Sequence, residues 1–277
     1  MVTGPLVVKL GGELLEEISN LANCVAAVKV MAASEPVVVV HGGGKEIDAA
    51  LKLAGIEKRQ VDGLRITDEP TLDVVVSVLA GTVNTRFVAA LNAAGVAAVG
   101  LTGADGACGL SAAAPPHQAV DGRVVDLGRV GVPEAGADMR LLQALTVERF
   151  VPVIACIGLG RDGRLFNVNA DTFAGHLAAR LDARRLVIAG TTPGVLDAAG
   201  DTIPAMGADD VARLVGDGTA TAGMIAKLRA CEQALAAGVD DVVIVDGRKA
   251  ETLTAAAASN APASATRLVA NAAARQP

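Results

Sequence analysis

The chain has 277 residues, 52% of them hydrophobic but only 1% aromatic, with a formal net charge of −6. An acidic chain with four Phe, no Tyr and no Trp offers neither a basic footprint nor a stacking platform, so no nucleic-acid partner is expected. MVTGPLVVKLGG at the start has no basic stretch ahead of an apolar core, and no unbroken apolar run reaches 18 residues, so neither a secretory leader nor a membrane span is expected.

In chain order, strand-length apolar runs alternate with helical patterns. Leu6–Leu10 predicts a strand, 14–33 a helix, Val37–Val40 a strand and 45–54 a helix. A longer helix over 70–94 is announced by Thr67-Asp68-Glu69-Pro70, which supplies capping candidates and a first-turn proline. Strand Val96–Leu101 comes next. Residues 117–131 then hold short alternating segments around Asp121-Gly122, a hairpin signal. A helix over 137–149, strand Val151–Ile157 and a second tight turn at Arg161-Asp162-Gly163-Arg164 lead to a helix over 172–182. Strand Leu186–Ala189, a helix over 221–237 and strand Asp241–Val245 complete the pattern, while Ala/Ser-rich 254–265 reads as a surface loop or helix. Gly55, Gly95 and Gly238 each follow a helical stretch, where a left-handed residue ends the helix. The alternation implies an α/β fold, a three-layer αβα sandwich with a mainly parallel central sheet and β-hairpin excursions. Cys24, Cys108, Cys156 and Cys231 are scattered, without a Cys-x-x-Cys pair or nearby His, and read as buried free thiols of a cytoplasmic protein rather than metal ligands.

Four segments carry candidate chemistry, and one decoy does not. Gly158-Leu-Gly-Arg-Asp-Gly163 fits G-x-G-x-x-G, but it leads into an extended segment instead of the helix that would meet a pyrophosphate. VVVVHGGGKEID (37–48) is a strand, three glycines and a helix start; it is no Walker A loop, because Glu46 stands where Ser or Thr is needed. Its free backbone N–H groups favour an anion all the same, and three glycines in a row suit a ligand that approaches the backbone closely. VVKLGG (7–12) repeats the arrangement with Lys9, a lysine whose place in a buried strand calls for a partner or a function. In FNVNADTFAG (166–175), Asn167 and Asn169 share a face if extended, and Asp171 is either the cap of the following helix or a functional carboxylate. Gly223-Met-Ile-Ala-Lys227 opens a helix with Lys227 one turn on, as an anion site or as a plain surface lysine.

Together, VVKLGG, VVVVHGGG, DGLRIT (62–67), GVAAVGLTGADG (95–106), FNVNADTFAGHLA (166–178), PGVLD (193–197), GMIAKL (223–228) and VDGR (245–248) resemble the amino-acid kinase family. GLR-x-T with NVNAD resembles its acetylglutamate branch. The resemblance implies one domain over 1–277, an N-lobe to about 165 binding the acceptor and dimerising, and a C-lobe from about 166 binding ATP. It implies MgATP-dependent phosphorylation of the γ-carboxylate of N-acetyl-L-glutamate, as in arginine biosynthesis, by direct in-line transfer. Lys9 and Lys227 would flank the moving phosphoryl group, with Asp171 holding both. Gly12 and Gly43 would donate backbone N–H groups to it. Gly43 and Gly44 would meet the acceptor γ-carboxylate, Arg65 its α-carboxylate, and Asn167, with Asn169 beside it, the acetamido end. Thr191, Gly194, Val195, Leu196, Thr219, Gly223, Met224 and Lys227 would serve the nucleotide, and Mg²⁺ would arrive on ATP with no dedicated protein ligands. Three positions depart from the family pattern: Thr191 where an Asp is usual, Ala222 before Gly-Met-Ile, and no glycine before Thr266-Arg267. With a first strand starting at about residue 6, the resemblance implies the unregulated, homodimeric kind. Two other readings share the fold. One is a kinase for carrier-linked aminoadipate or glutamate, for which Lys58, Arg59 and Arg65 supply basic groups near the acceptor end; the other is a non-catalytic amino-acid sensor.

Overall fold

A computed structural model describes residues 4–216, 222–258, 262 and 264–269. Its centre is an eight-stranded sheet in the order Ala205–Met206, Ala265–Val269, Asp241–Asp246, Arg185–Gly190, Leu6–Leu10, Val37–His41, Val151–Ala155, Ala98–Thr102. Every neighbouring pair is parallel except Asp241–Asp246 with Ala265–Val269. Helices Ile18–Ser34, Asn84–Ala93 and Ala250–Ala257 pack together on one face, and Arg140–Val147, Ala170–Arg180 and Ala222–Ala236 lie against the other. Covered on both faces, the central strands have no solvent side, which is why they read as continuous Val/Ile/Leu runs without alternation. Each of the six strands expected from the sequence contributes to this sheet, and the αβα expectation holds.

Several details differ from the expectation. The first helix breaks at Glu17, whose extended backbone separates Glu13–Glu16 from Ile18–Ser34. Val151–Ile157 divides: Val151–Ala155 stays in the main sheet, and Ile157–Leu159 joins Leu165–Val168, Val130–Pro133 and Ser111–Ala113 in a second sheet of four strands. That antiparallel return from Ile157–Leu159 to Leu165–Val168 is the excursion expected at Asp162-Gly163, and it confirms that Gly158–Gly163 meets no helix. The Asp121-Gly122 hairpin forms between His117–Gln118 and Val124–Val125. Within 254–265, helix Ala250–Ala257 runs into the described part with Leu253, Ala256 and Ala257 buried. Helix Ala208–Gly216 and strand Ala265–Val269 were not anticipated.

The helix expected over 70–94 spans Glu69–Ala93, with Asp68 accepting a hydrogen bond from the Thr71 N–H at 3.0 Å as its cap. Contrary to expectation, this helix is long and apolar enough, by length and composition alone, to cross a bilayer. Its stripe of Val75, Leu79, Val83, Phe87 and Leu91 is buried in the main core, as in a core helix. Its middle, Ser77–Val83, is a π-helical segment.

Candidate active site

The site forms at the C-terminal edge of the sheet around Leu6–Leu10. The chain leaves this central strand to its neighbour Val37–His41 on one side and pairs with Arg185–Gly190 on the other, so the connections diverge here and leave a crevice. Backbone bonds stitch the strand ends together: Gly11 N–H to Ala189 O at 2.9 Å, and Gly42 N–H to Leu10 O at 3.2 Å.

Lys9 is 8% exposed and Asp171 9%. Their ion pair is 2.8 Å long, from Nζ to Oδ1. A buried lysine therefore has the partner its strand position demanded. Burial opposes charge on Lys9, and Asp171 more than offsets it, so the ammonium is held more firmly than usual. Burial likewise opposes ionisation of Asp171, but Lys9 and then Lys227 hold its carboxyl below the usual range. For Lys227 the balance reverses: burial and the Lys9 charge outweigh Asp171 and lower its pKa. Among the described residues no ion pair reaches Lys227. Of the two readings of Asp171, capping is thus corrected. The cap of Ala170–Arg180 is Asn169, whose Oδ1 accepts from the N–H groups of Asp171 and Thr172, both at 3.0 Å. Capping by Asn169 is what aims Asp171 inward from the first turn.

The two glycine-rich turns touch. A Cβ on Gly12 would lie 2.6 Å from Gly43 Cα, and one on Gly43 would meet Leu79 Cδ2 at 2.8 Å. Helix Gly44–Leu53 begins here with no side-chain cap, so its N-terminal dipole faces an open cleft. A cavity of about 290 Å³ adjoins these turns, lined by Lys9, Gly12, Glu13, Gly42, Gly43, Gly44, Arg65, Asn167 and Asn169 among others. Arg65 stands at its far side with a 14% exposed side chain, and its Nη2 is 2.5 Å from Asp48 Oδ1. Arg65 Nη1 is buried without a partner, leaving a guanidinium N–H for an anion in the cavity. Asn167 donates from Nδ2 to Thr67 Oγ1 at 3.2 Å. The predicted acceptor residues therefore share one cavity.

The nucleotide-side residues are less concentrated. Thr191 is exposed just past Arg185–Gly190. Gly194, with φ of 76°, lies against the Ala265–Val269 strand, and the Val195 N–H donates to Thr266 Oγ1 at 2.7 Å. Leu196 is 39% exposed, and Gly223 and Met224 open helix Ala222–Ala236. Thr219 lies outside the described residues.

Glu13 was not singled out from the sequence. A Cβ built on Gly190 would lie 3.2 Å from Lys227 Nζ and 3.3 Å from Glu13 Oε1, so the strand end gathers both groups at one spot. Glu13 also acts electrostatically on Lys9 and Lys227. In the sequence it reads as an ordinary acidic residue of a first helical turn, so no local signal marks it. Cys156 lines the cavity as well; all four cysteines are free and buried, and burial pushes the Cys156 thiol up to about 12, which makes it an unreactive wall.

A buried lysine and a half-buried one around a carboxylate, beside two backbone anion cradles, are equipment for stabilising a transferring anionic group without a covalent intermediate. The chain belongs to the amino acid kinase family, whose sequence profile matches residues 4–246. It is 43% identical over 251 residues to the acetylglutamate kinase of Granulibacter bethesdensis, covering 88% of this chain and 83% of the relative. With the acetylglutamate kinase of Methanopyrus kandleri it shares 42% over 244 residues, covering 87% and 94%. In three dimensions it resembles the N-acetylglutamate synthase of Neisseria gonorrhoeae in complex with coenzyme A and N-acetyl-glutamate, with a TM-score of 0.82 at 24% identity; the match covers 98% of this chain and 61% of the synthase. A carbamate kinase of Giardia has the same fold, with a TM-score of 0.68 at 15% identity over 98% of this chain and 100% of the kinase. The resemblance read from the motifs is borne out.

Proposed function

We propose that the chain is an acetylglutamate kinase, transferring the γ-phosphoryl group of ATP to the γ-carboxylate of N-acetyl-L-glutamate in arginine biosynthesis. The observation that carries this reading is one cavity lined both by Lys9, the ion-pair partner of Asp171, and by Arg65, whose Nη1 has no partner. Two cationic groups on one cavity suit a dicarboxylate. Arg65 takes the α-carboxylate as a fork, Asn167 and Asn169 face the acetamido end, and the γ-carboxylate lies against Gly43 and Gly44. The N–H groups of Gly12 and Gly43 and the charges of Lys9 and Lys227 meet the phosphoryl group as negative charge grows on its oxygens. Asp171 fixes Lys9, offsets the charge of Lys227 and takes no proton. The acceptor carboxylate is already ionised and needs no general base, so positioning and electrostatics suffice.

ATP lies on the Thr191, Gly194–Leu196, Thr219 and Gly223–Lys227 side. Among the described residues no group of three or more His, Cys, Asp and Glu gathers as a metal cage. Glu13 is a hard oxygen donor beside the lysines, which suits a Mg²⁺ carried on nucleotide phosphates and water. When bound, that ion would neutralise phosphate charge.

In this reading residues up to about 165 form the acceptor lobe and the remainder the nucleotide lobe, and the protein is a cytoplasmic homodimer. The four buried free thiols suit a reducing compartment. Strand Ala98–Thr102 ends the sheet with one side unpaired, beside the exposed faces of Thr85 and Gly100, and suits a second copy. A carrier-linked acceptor has less support, because Lys58 and Arg65 both pair with Asp48 and Arg59 pairs with Asp68. A sensor would have no use for Lys9 buried on Asp171 with Lys227 beside it.

The test is an acyl-phosphate assay with hydroxylamine trapping, run with MgATP and free N-acetyl-L-glutamate, glutamate or aminoadipate. Trapped product with N-acetyl-L-glutamate alone is expected. Turnover restricted to a carrier-linked substrate would overturn the acceptor assignment.

A further inference from the structure

The glycine turn at Gly42–Gly44 has no side chains of its own to hold its shape, so its geometry must come from neighbours. Below it lies the π-helical segment Ser77–Val83, with Leu79 and Val83 against Gly43. A π turn admits one extra residue, and each helical residue turns about 100°, so this segment rotates everything after it relative to a plain α-helix. The Asn84 N–H closes the segment on Leu79 O, five residues back. Its side chain is thereby delivered into the core, 4% exposed, facing His41 at the end of strand Val37–His41.

Asn84 Nδ2 has two hydrogens and two acceptors: Val153 O at 2.9 Å and His41 Nε2 at 3.0 Å. On the other side of the ring, His41 Nδ1 is 3.1 Å from Gly42 O. The partners decide the tautomer. Nδ1 faces only a carbonyl and must carry the proton; Nε2 faces an amide donor and must be bare. The amide orientation is also decided, because a flip would set Oδ1 against Val153 O. Packing leaves no slack, since a Cβ on Gly100 would lie 2.2 Å from Asn84 Oδ1. A chain of directed bonds thus runs from the helix through a neutral imidazole to the first carbonyl of the glycine turn.

We propose that Asn84, acting through the Nδ1-protonated ring of His41, is the positioning residue that sets the Gly42–Gly44 turn to receive the acceptor. The inference rests on the reading of that turn as the acceptor side. Neither residue touches a reactant. His41 holds Gly42 O, which fixes the Gly42–Gly43 peptide plane and with it the direction of the Gly43 N–H, and Asn84 holds His41 in the only tautomer that can do so.

Two readouts separate this role from plain core packing. Asn84→Ala should raise the KM for N-acetyl-L-glutamate on the order of tenfold while the KM for ATP stays near wild type. Amide hydrogen exchange without substrate should accelerate at Gly42 and Ile47, whose N–H groups are bonded to Leu10 O and Gly43 O, and not in the Arg185–Gly190 strand. The second readout needs no acceptor: accelerated exchange in an enzyme that fails to phosphorylate N-acetyl-L-glutamate would sink the functional reading and leave the positioning role standing. If Asn84→Ala does not fold, His41→Asn and His41→Gln carry the test. An Asn amide can still donate to Gly42 O, whereas Gln mimics only the Nε2 end, so His41→Asn should keep turn protection closer to wild type. Equal shifts in both KM values, wild-type exchange at Gly42 and Ile47, or equal behaviour of the two His41 variants would overturn the proposal.

Discussion

The two sides of the crevice are built differently. On the acceptor side the wall is interlocked: Gly12 against Gly43, Leu79 beneath, His41 and Asn84 behind, Arg65 tied to Asp48. On the nucleotide side, Thr191 and Thr192 are exposed, and Gly194 and Val195 engage the Ala265–Val269 strand instead of a cavity. The lysines mirror this division, Lys9 in a 2.8 Å ion pair and Lys227 in none among the described residues. In the proposed reading, the difference assigns shape selectivity to the preformed acceptor wall and leaves the nucleotide side to work chiefly through charge.

The lysine pair gives the sharpest way to break that comparison. Lys9→Ala and Lys227→Ala should each lower kcat by roughly 10²–10³-fold, the scale of losing one preorganised group facing developing charge. Their stabilities should diverge. Lys9→Ala strands the buried Asp171 carboxylate and should cost about 3 kcal/mol in denaturant unfolding, whereas Lys227→Ala should melt close to wild type. Equal losses of stability would erase the distinction. Arg65→Lys is the next effect in size. It keeps the charge and loses the planar fork, so the acceptor KM should rise about tenfold with the ATP KM little changed; parallel changes in both would place Arg65 elsewhere in the mechanism.

A smaller effect sharpens the account of the acceptor wall. Burial drives the His41 pKa from its ordinary 6.5 down to about 4, with Gly42 O opposing and the nearby Arg86 charge assisting. Between those values the unfolded chain takes up a proton that the folded chain refuses. This contribution to stability is therefore fully present above pH 6.5 and is lost as pH falls toward 4. Thermal melts over that window should fall more steeply in wild type than in His41→Asn. Parallel slopes would mean that His41 already carries its proton when folded.

Much of this molecule was legible in its sequence, for identifiable reasons. Leu6–Leu10 was found to the residue because a strand covered on both faces must be apolar throughout. KLGG, HGGG and NVNAD stood out because close backbone approach restricts residue choice to glycine and small polar groups. The π segment was invisible: SVLAGTV carries an apolar pattern that suits an α-helix, and the extra residue declares itself only through hydrogen bonding. His41 looked like the tail of a valine strand, since its partners lie 43 residues away at Asn84 and in its own turn. Glu13 gained a role only when folding brought Gly190 and Lys227 beside it.

The contact between Gly12 and Gly43 has a consequence for how such a site can change. Backbone meets backbone there, so the gap between the donor cradle and the acceptor cradle is a gauge set by the thickness of two peptide chains. No side-chain substitution can narrow it, and the smallest addition forces it open. Selection acting on this chain can readily resize the far end, around Arg65 and Asn167, to admit a longer or shorter acceptor. Under the proposed function, the distance that the phosphoryl group travels stays constant while the molecule receiving it varies.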